Sequence, residues 1–330
     1  MSKQYKLIQK IVANGEDVDL SFLRAATYIE AITLNNPNLI IKIDDVQRYF
    51  RDDLGVKEGD TLNVSIEDPY NSDSLSYKAD WVVLSMPIHT DEIITLNLIP
   101  KTLFELKAKQ TKAQAFIQKK PIDILNKLAG MTVQCGKFHF KNDYYLANAQ
   151  EISKLFSLLA REHGALVFCR RDELVFDSFA ELFKKKEVRE YYHNDTRKDF
   201  QISTFKVHKD AFLLRELLDR QYVGWSLNDG WMASTRYSDK AIKFTSASQK
   251  YVLDNLSKSW RHVVEIEMLG DGALRVGDVI KTNWIRSSIE SPLDESLPEK
   301  MLIVHVSHAY INGKYSTLCK CALENKEDDE

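Results

Sequence analysis

The sequence predicts a β-dominated α+β chain, with two similar β-rich units separated by an α/β module and an insertion in the second unit. Three observations lead there. Short β-branched runs cluster at both ends of the chain, helical periodicity is confined to the middle, and the two β-rich ends repeat one order of landmarks.

The first unit covers residues 1–100. Asn38-Leu-Ile-Ile-Lys-Ile43, Thr61-Leu-Asn-Val-Ser-Ile66, Trp81-Val-Val-Leu-Ser-Met86 and Ile93-Ile-Thr-Leu-Asn-Leu-Ile99 are short, β-branched and partly alternating. Gly59-Asp60, Asp68-Pro69 and Pro87 punctuate these runs, and Pro100 closes the last.

Residues 101–185 form the α/β module. A helix is expected from Leu103 to Gln118, and a second begins at Pro121, carries Ile122, Leu125 and Leu128, and stops at Gly130. A third places Ile152, Leu155, Phe156 and Leu159 on one face and ends at His163-Gly164. Ala165-Leu-Val-Phe-Cys169 and Glu173-Leu-Val-Phe176, joined by Arg170-Arg171-Asp172, then read as a tight β-hairpin.

Lys184 to Lys198 reads as a polar, mixed-charge linker. The second β-rich unit takes residues 198–210 and 260–325, with strands at Phe200 to Val207, His262 to Ile266, Val279-Ile280, Met301 to Val306 and Tyr315 to Leu323. Residues 211–259 interrupt it with a short helix around Phe212 to Leu218, an aromatic loop holding Trp225 and Trp231, and a helix around Gln249 to Leu256. The acidic tail, 326–330, is expected to fray.

The two β-rich ends share an order of events. Leu39-Ile-Ile-Lys-Ile-Asp44 matches His262-Val-Val-Glu-Ile-Glu267, and Gly59-Asp-Thr-Leu-Asn-Val64 matches Gly277-Asp-Val-Ile-Lys-Thr282. Trp81 to Met86 then matches Leu302-Ile-Val-His-Val-Ser307, and Ile93 to Ile99 matches Tyr315 to Leu323. The intervals agree to within about six residues, which loop insertions accommodate, so an internal duplication is expected.

Composition bounds the function. The 330 residues exceed what one core usually serves, and 44% hydrophobic with 28% charged residues is a globular balance. A formal charge of -3 gives no overall drive toward nucleic acid or anionic lipid. Four cysteines make no disulfide framework, the N-terminus lacks a signal-peptide core, and no apolar run approaches the ~20 residues of a membrane span. The expectation is a protein folded in a reducing cytoplasm, with no membrane-spanning segment.

Few residues suggest chemistry, and no catalytic, cofactor-binding or metal-ligating residue is assigned. Cys135 and His139, and Cys319 with Cys321, fall in or beside strands and lack the tight-loop spacing of zinc sites; Cys319 and Cys321 share one strand face and are read as core. His305 and His308 face opposite ways on one strand and are read as structural, since no nucleophile elbow, H-E-x-x-H or paired-carboxylate motif accompanies them. Lys184 to Lys186 with Arg189, Tyr191, Tyr192, Arg197 and Lys198 is the best nucleic-acid or protein contact, but Glu187, Glu190, Asp195 and Asp199 dilute its charge toward a solvated linker. Trp225 and Trp231 either anchor a partner or cap the inserted module's core. Gly270-Asp-Gly272 lacks the context of a phosphate loop.

The middle and the end of the chain resemble the hub proteins of contractile injection machines: myovirus baseplate hubs, the late control protein D group and the N-terminal part of VgrG. The residues concerned are Pro121-Ile-Asp-Ile-Leu-Asn-Lys-Leu-Ala-Gly130, Asn148 to Gly164, the hairpin ending at Phe176, Leu274-Arg-Val-Gly-Asp-Val279, Val304-His-Val-Ser-His-Ala-Tyr310 and Tyr315-Ser-Thr-Leu318. The resemblance covers nearly the whole chain and implies two tube-type β-barrel domains per chain. It further implies a homotrimer of pseudo-six-fold symmetry that joins a hexameric tail tube to a trimeric spike, among other baseplate proteins, with DNA passing through the lumen without sequence-specific binding. VgrG proteins continue into an OB domain and β-helix, whereas this chain stops soon after the second β-unit, so a separate spike protein is expected. The implied role is structural and not enzymatic, in a virion tail baseplate assembled in the bacterial host cytoplasm. The rival readings are a nucleic-acid-binding module on OB-like barrels and a tail-associated hydrolase.

Overall fold

The computed structural model describes residues 6–71, 73–89, 92–208, 219–285 and 296–324. Its N-terminal strands are β1 (Ile8–Ala13), β2 (Glu16–Asp17), β3 (Leu23–Ala31), β4 (Asn38–Asp44), β5 (Thr61–Glu67), β6 (Ser76–Ser85) and β7 (Ile93–Pro100). Alternation builds them: in β4, Leu39, Ile41 and Ile43 are buried while Ile40 and Lys42 point outward. Inward residues from these strands form one core around Tyr28, Tyr77 and Trp81.

The middle of the chain holds α1 (Lys101–Lys107), β8 (Gln114–Lys119), α2 (Pro121–Leu128), β9 (Thr132–Cys135), β10 (Asn142–Leu146), α3 (Ile152–His163), β11 (Leu166–Arg170), β12 (Glu173–Asp177) and α4 (Phe179–Phe183). The expected helix from Leu103 to Gln118 is corrected: α1 stops at Lys107, and residues 114–119 are a strand paired with β10. Leu103 and Leu106 supply apolar positions for only about two turns, and Phe116 is buried between exposed neighbours, which is the strand period. The expected hairpin is present as β11 and β12, and β12 also pairs in parallel with β9.

The C-terminal part contains β13 (Arg189–His193), β14 (Ile202–Val207), β15 (Gln221–Ser226), β16 (Gly230–Ala233), β17 (Ile242–Phe244), α5 (Lys250–Ser257), β18 (Trp260–Leu269), β19 (Val279–Trp284), β20 (Lys300–Ile311) and β21 (Lys314–Glu324). Two further expectations are corrected. The linker from Lys184 to Lys198 contains β13, which pairs in parallel with β19 because Tyr191 is buried beneath the sheet. The aromatic loop is a three-stranded sheet, β16-β15-β17, packed on α5 through Ala247, Val252 and Leu253. The helix expected around Phe212 to Leu218 and the tail 326–330 lie outside the described residues.

Thirteen of the described strands belong to one sheet, in the order β14-β18-β21-β20-β3-β4-β7-β6-β5-β1-β2, with β19 and β13 branching from β20. The strands matched in sequence pair in the same order, β4-β7-β6-β5 in one half and β18-β21-β20-β19 in the other. Among the described residues no sheet closes into a barrel, and the halves run into one another through β20. One edge of that strand follows β21 from Leu302 to Ile311. The other pairs residues 300–302 with β19 and residues 305–311 with β3.

Phe168, Val175, Phe179 and Leu182 of the middle segment pack against Val276, Val279, Leu302 and Val304, fastening it to the C-terminal half-sheet. Gly277, at φ 82°, lies under the Phe168 ring, where a Cβ would come within 2.8 Å.

Because β20 serves both half-sheets, Ser307→Pro is expected to unfold them together. It removes a ladder hydrogen bond in a central strand and costs roughly 3 kcal/mol or more. Peptide-resolved hydrogen exchange gives separate protection signals for β4 to β7 in one half and β18 to β21 in the other. Loss of one signal with the other retained would disprove the coupling.

Candidate functional site at the junction of the two half-sheets

At the tip of the β11–β12 hairpin, Arg171 adopts a positive φ of 48° and is 8% exposed. A non-glycine residue in that conformation is held by its contacts, and here they reach both half-sheets. Its backbone N–H donates to Glu30 Oε1 at 3.0 Å, and its guanidinium donates to the carbonyls of Ser74 and Gly272 at 3.2 and 2.7 Å. The Tyr77 hydroxyl donates to its carbonyl at 3.1 Å.

Glu30, on β3, is 1% exposed. It accepts from the Tyr28 hydroxyl at 2.7 Å and from the Val276 N–H at 3.1 Å. Burial pushes its carboxyl upward, opposed by the Tyr28 hydrogen bond and the Arg171 charge. Beside it, Arg170 reaches Asp278 at 3.1 Å, Glu173 at 3.1 Å and Gln134 at 2.9 Å.

Two aspartates complete the junction. Asp68 accepts from the N–H groups of Tyr70 and Asn71, the Ser74 hydroxyl and the Gly272 N–H. That last contact requires glycine, since a Cβ at position 272 would stand 2.8 Å from Asp68 Oδ2 and 2.6 Å from Leu75 Cβ. Asp271 receives the Tyr191 hydroxyl at 2.7 Å and pairs with Arg189 at 3.1 Å. Asp68 and Asp271, with Tyr70, Arg189, Phe200 and Met268, line a cavity of about 240 Å³. Both carboxylates hold internal partners, so the arrangement locks the junction in place.

His308 belongs to this network and faces inward, while His305, three residues earlier on β20, is half-buried on the opposite face. The His308 ring makes contacts of 3.1 Å with the Leu274 carbonyl and the Tyr315 hydroxyl and 3.2 Å with the Thr317 hydroxyl, and it stacks near Tyr28. Burial drives it down to about 4, and burial also lowers His305. Buried together with Thr317 and Tyr315, a neutral ring in this position connects their hydroxyls to the backbone.

The remaining sequence candidates do not converge. Cys135 ends β9 half-buried, with burial pushing its thiol up to about 12, and His139 is exposed. Cys319 and Cys321 are buried in the core of the C-terminal half-sheet with raised thiols. Among the described residues no group of His, Cys, Asp and Glu could hold a metal ion. The basic-aromatic segment is spent internally: Arg189 lies 4.2 Å from the Phe200 ring centre, Lys198 5.0 Å from that of Tyr192, and Arg197 pairs with Asp195 at 2.8 Å. Trp225 and Trp231 are cross-strand partners, 48% and 69% exposed, on the sheet face turned away from α5. They do not cap the inserted segment's core. The Arg171 junction was missed in the sequence; its only trace there is a two-residue hairpin turn without glycine.

No family model matches the chain, and no curated protein matches it in sequence. Solved structures do match its fold. The 43 kDa tail protein of prophage MuSo2 from Shewanella oneidensis aligns with a TM-score of 0.62 at 11% identity, over 96% of each chain. The tail protein from Neisseria meningitidis MC58 aligns with a TM-score of 0.63 at 9% identity, over 95% of each chain. A type VI secretion system component from E. coli, itself described as similar to T4 bacteriophage tail proteins, aligns with a TM-score of 0.53 at 11% identity, over 97% of this chain and 78% of that one.

Arg171→Ala is expected to cost about 1–3 kcal/mol in urea unfolding, because it leaves the Ser74 and Gly272 carbonyls without their guanidinium donor and removes a positive charge near Glu30, whose hydrogen bond to the residue 171 N–H remains. A cost below about 1 kcal/mol would remove the junction from the stability argument.

A pH effect follows from His308 and from His163, which is also buried and lowered to about 4 from an ordinary 6.5. The unfolded chain binds these protons first, so their contribution to stability is complete above pH 6.5 and is lost as pH falls toward 4. A melting-temperature profile should decline across that window, and His163→Gln with His308→Gln should flatten it. The chain carries the fold of phage tail proteins, the one its resemblance to contractile-tail hubs leads to expect.

Proposed function

We propose that the chain is the structural hub of a contractile-tail baseplate, a homotrimer joining a hexameric tail tube to a trimeric spike around a channel for DNA. The observation that carries the reading is one strand-pairing order occurring twice in a chain whose fold matches phage tail proteins over 95–96% of both lengths. Three copies would present six similar half-sheets, matching a six-fold ring on one side and a three-fold body on the other. In this reading each half-sheet belongs to a tube-type domain, the segment 101–185 braces the pair, and the β16-β15-β17 sheet with α5 stands apart from the ring wall. The polypeptide acts mechanically, performs no catalysis, and sits in the virion tail after assembly in the bacterial cytoplasm.

Saturation of the junction carboxylates supports the non-enzymatic reading over a hydrolase. Pairing of Arg189 with Asp271 and of Arg197 with Asp195 weakens the support for a single-strand binder.

Native mass spectrometry of the purified chain, alone and mixed with the tube and spike proteins of the same virion, tests the proposal. A trimer, formed alone or on adding the spike, is expected. A chain that stays monomeric or dimeric in both mixtures would overturn it.

A further inference from the structure

Residues 101–141 contain nine lysines against two carboxylates, Glu105 and Asp123, in a chain whose formal charge is -3. The positive charge is concentrated where the function proposed above uses none. Among the described residues no ion pair joins any of the nine to a carboxylate. Lys107 donates to the Asn35 side chain at 2.6 Å and Lys127 lies 5.1 Å from the Phe116 ring centre. Lys101, Lys109, Lys112, Lys119, Lys137 and Lys141 are exposed. In the 184–198 segment, by contrast, Lys184, Arg189 and Arg197 each have an acidic partner.

The two-stranded β8–β10 ribbon organises this surface. Phe116, Tyr144 and Leu146 point into the core, so the strand period turns Ala115, Ile117 and Lys119 outward on one strand and Asp143 and Tyr145 on the other. Tyr145 pairs opposite Ala115, one strand period from Ile117, and these two are 61% and 53% exposed. Asn142 pairs opposite Lys119, so the chain at Lys141 leaves beside Lys119 and Lys120. Asp143, the one carboxylate the strand period turns onto this face, is held by the Gln118 N–H and side-chain amide, so the lysines around it outnumber the negative charge and repel one another. No third strand joins the ribbon among the described residues, so neither strand is hydrogen-bonded to a further strand.

We propose that this ribbon, with its apolar Ile117–Tyr145 centre and lysine surround, docks an acidic protein segment that carries an apolar side chain. The apolar centre favours protein over nucleic acid, because a phosphate backbone would gain nothing from covering Ile117. The segment also has no arginine from residue 101 to 160, the side chain that supplies bidentate contacts to phosphates and bases. Open strand edges accept an extended peptide through main-chain hydrogen bonds, with alternate side chains meeting the centre and the lysines. The inference does not depend on the hub reading.

Fluorescence anisotropy with the full chain tests it, using a labelled peptide of alternating Glu and Leu, a Glu/Ser peptide of equal charge and a labelled DNA duplex. The Glu/Leu peptide is expected to bind best. Its affinity should fall about tenfold in a Lys112→Gln, Lys119→Gln, Lys120→Gln, Lys141→Gln variant and also on raising salt. Ile117→Ser with Tyr145→Ser should weaken the Glu/Leu peptide about fivefold while leaving the Glu/Ser peptide unchanged. Melting curves of both variants, which alter surface side chains, verify folding; if the double serine variant melts early, Tyr145→Ser alone replaces it. Tighter binding of the duplex than of the Glu/Leu peptide, indifference of that peptide to the serine substitutions, or binding of no probe would each overturn the proposal.

Discussion

Along one edge, β20 hydrogen-bonds first to β19 and then to β3, and the rest of the molecule is arranged around that change of partner. A strand that switches neighbours leaves backbone groups near the switch without a ladder, and in a buried sheet each such group costs free energy unless it is paired. Glu30 stands opposite Val306, just past the switch, and accepts the Val276 N–H ahead of β19. Other groups close locally: Gly277 donates to the Ile303 carbonyl, and Ile303 donates back to that of Asp278. A charged side chain is tolerated in this core because it completes the backbone's hydrogen bonding.

Burying Glu30 in turn calls for donors and nearby positive charge, and Arg171 brings both from the middle of the chain, a backbone N–H at 3.0 Å and a guanidinium whose charge opposes the effect of burial. The segment from Lys101 to Phe183 is thereby a wedge between the half-sheets, gripped by an apolar contact at Phe168 and Val175 and by a polar one at Arg171. Both grips depend on glycine, Gly277 beneath Phe168 and Gly272 beside Asp68. Sliding one half-sheet against the other would break apolar packing and charge-assisted hydrogen bonds together.

The surface shows the opposite use of charge. Residues 184–198 and 101–141 both look basic in sequence, yet the first is folded into ion pairs and ring contacts and the second is left open. Composition is the same kind of signal in both. Only the neighbours brought by folding separate a solvated or internally spent charge from one available to a partner.

The sequence by itself determined the local elements and their order. Alternation in Leu39 to Ile43, the Pro121 start and Gly130 stop, the Ile152 to Leu159 stripe and the Gly164 end are short-range patterns, and short-range sterics and burial decide them. The matched landmarks of the two β-rich ends also foretold which strands pair in the same order, because each copy carries its own alternation and turns. Tertiary structure decided the remainder. Residues 114–119 became a strand through β10, residues 189–193 through β19, and Trp225 and Trp231 were placed on an outer face by α5 beneath them. Arg171, Glu30 and Val276 are separated by more than a hundred residues, so no local pattern could announce their meeting, and the joining of the two half-sheets through β20 is likewise decided at long range. Periodicity reports which face a residue turns inward, but the identity of what lies opposite is fixed only when distant segments compete for the same hydrogen bonds and the same buried space.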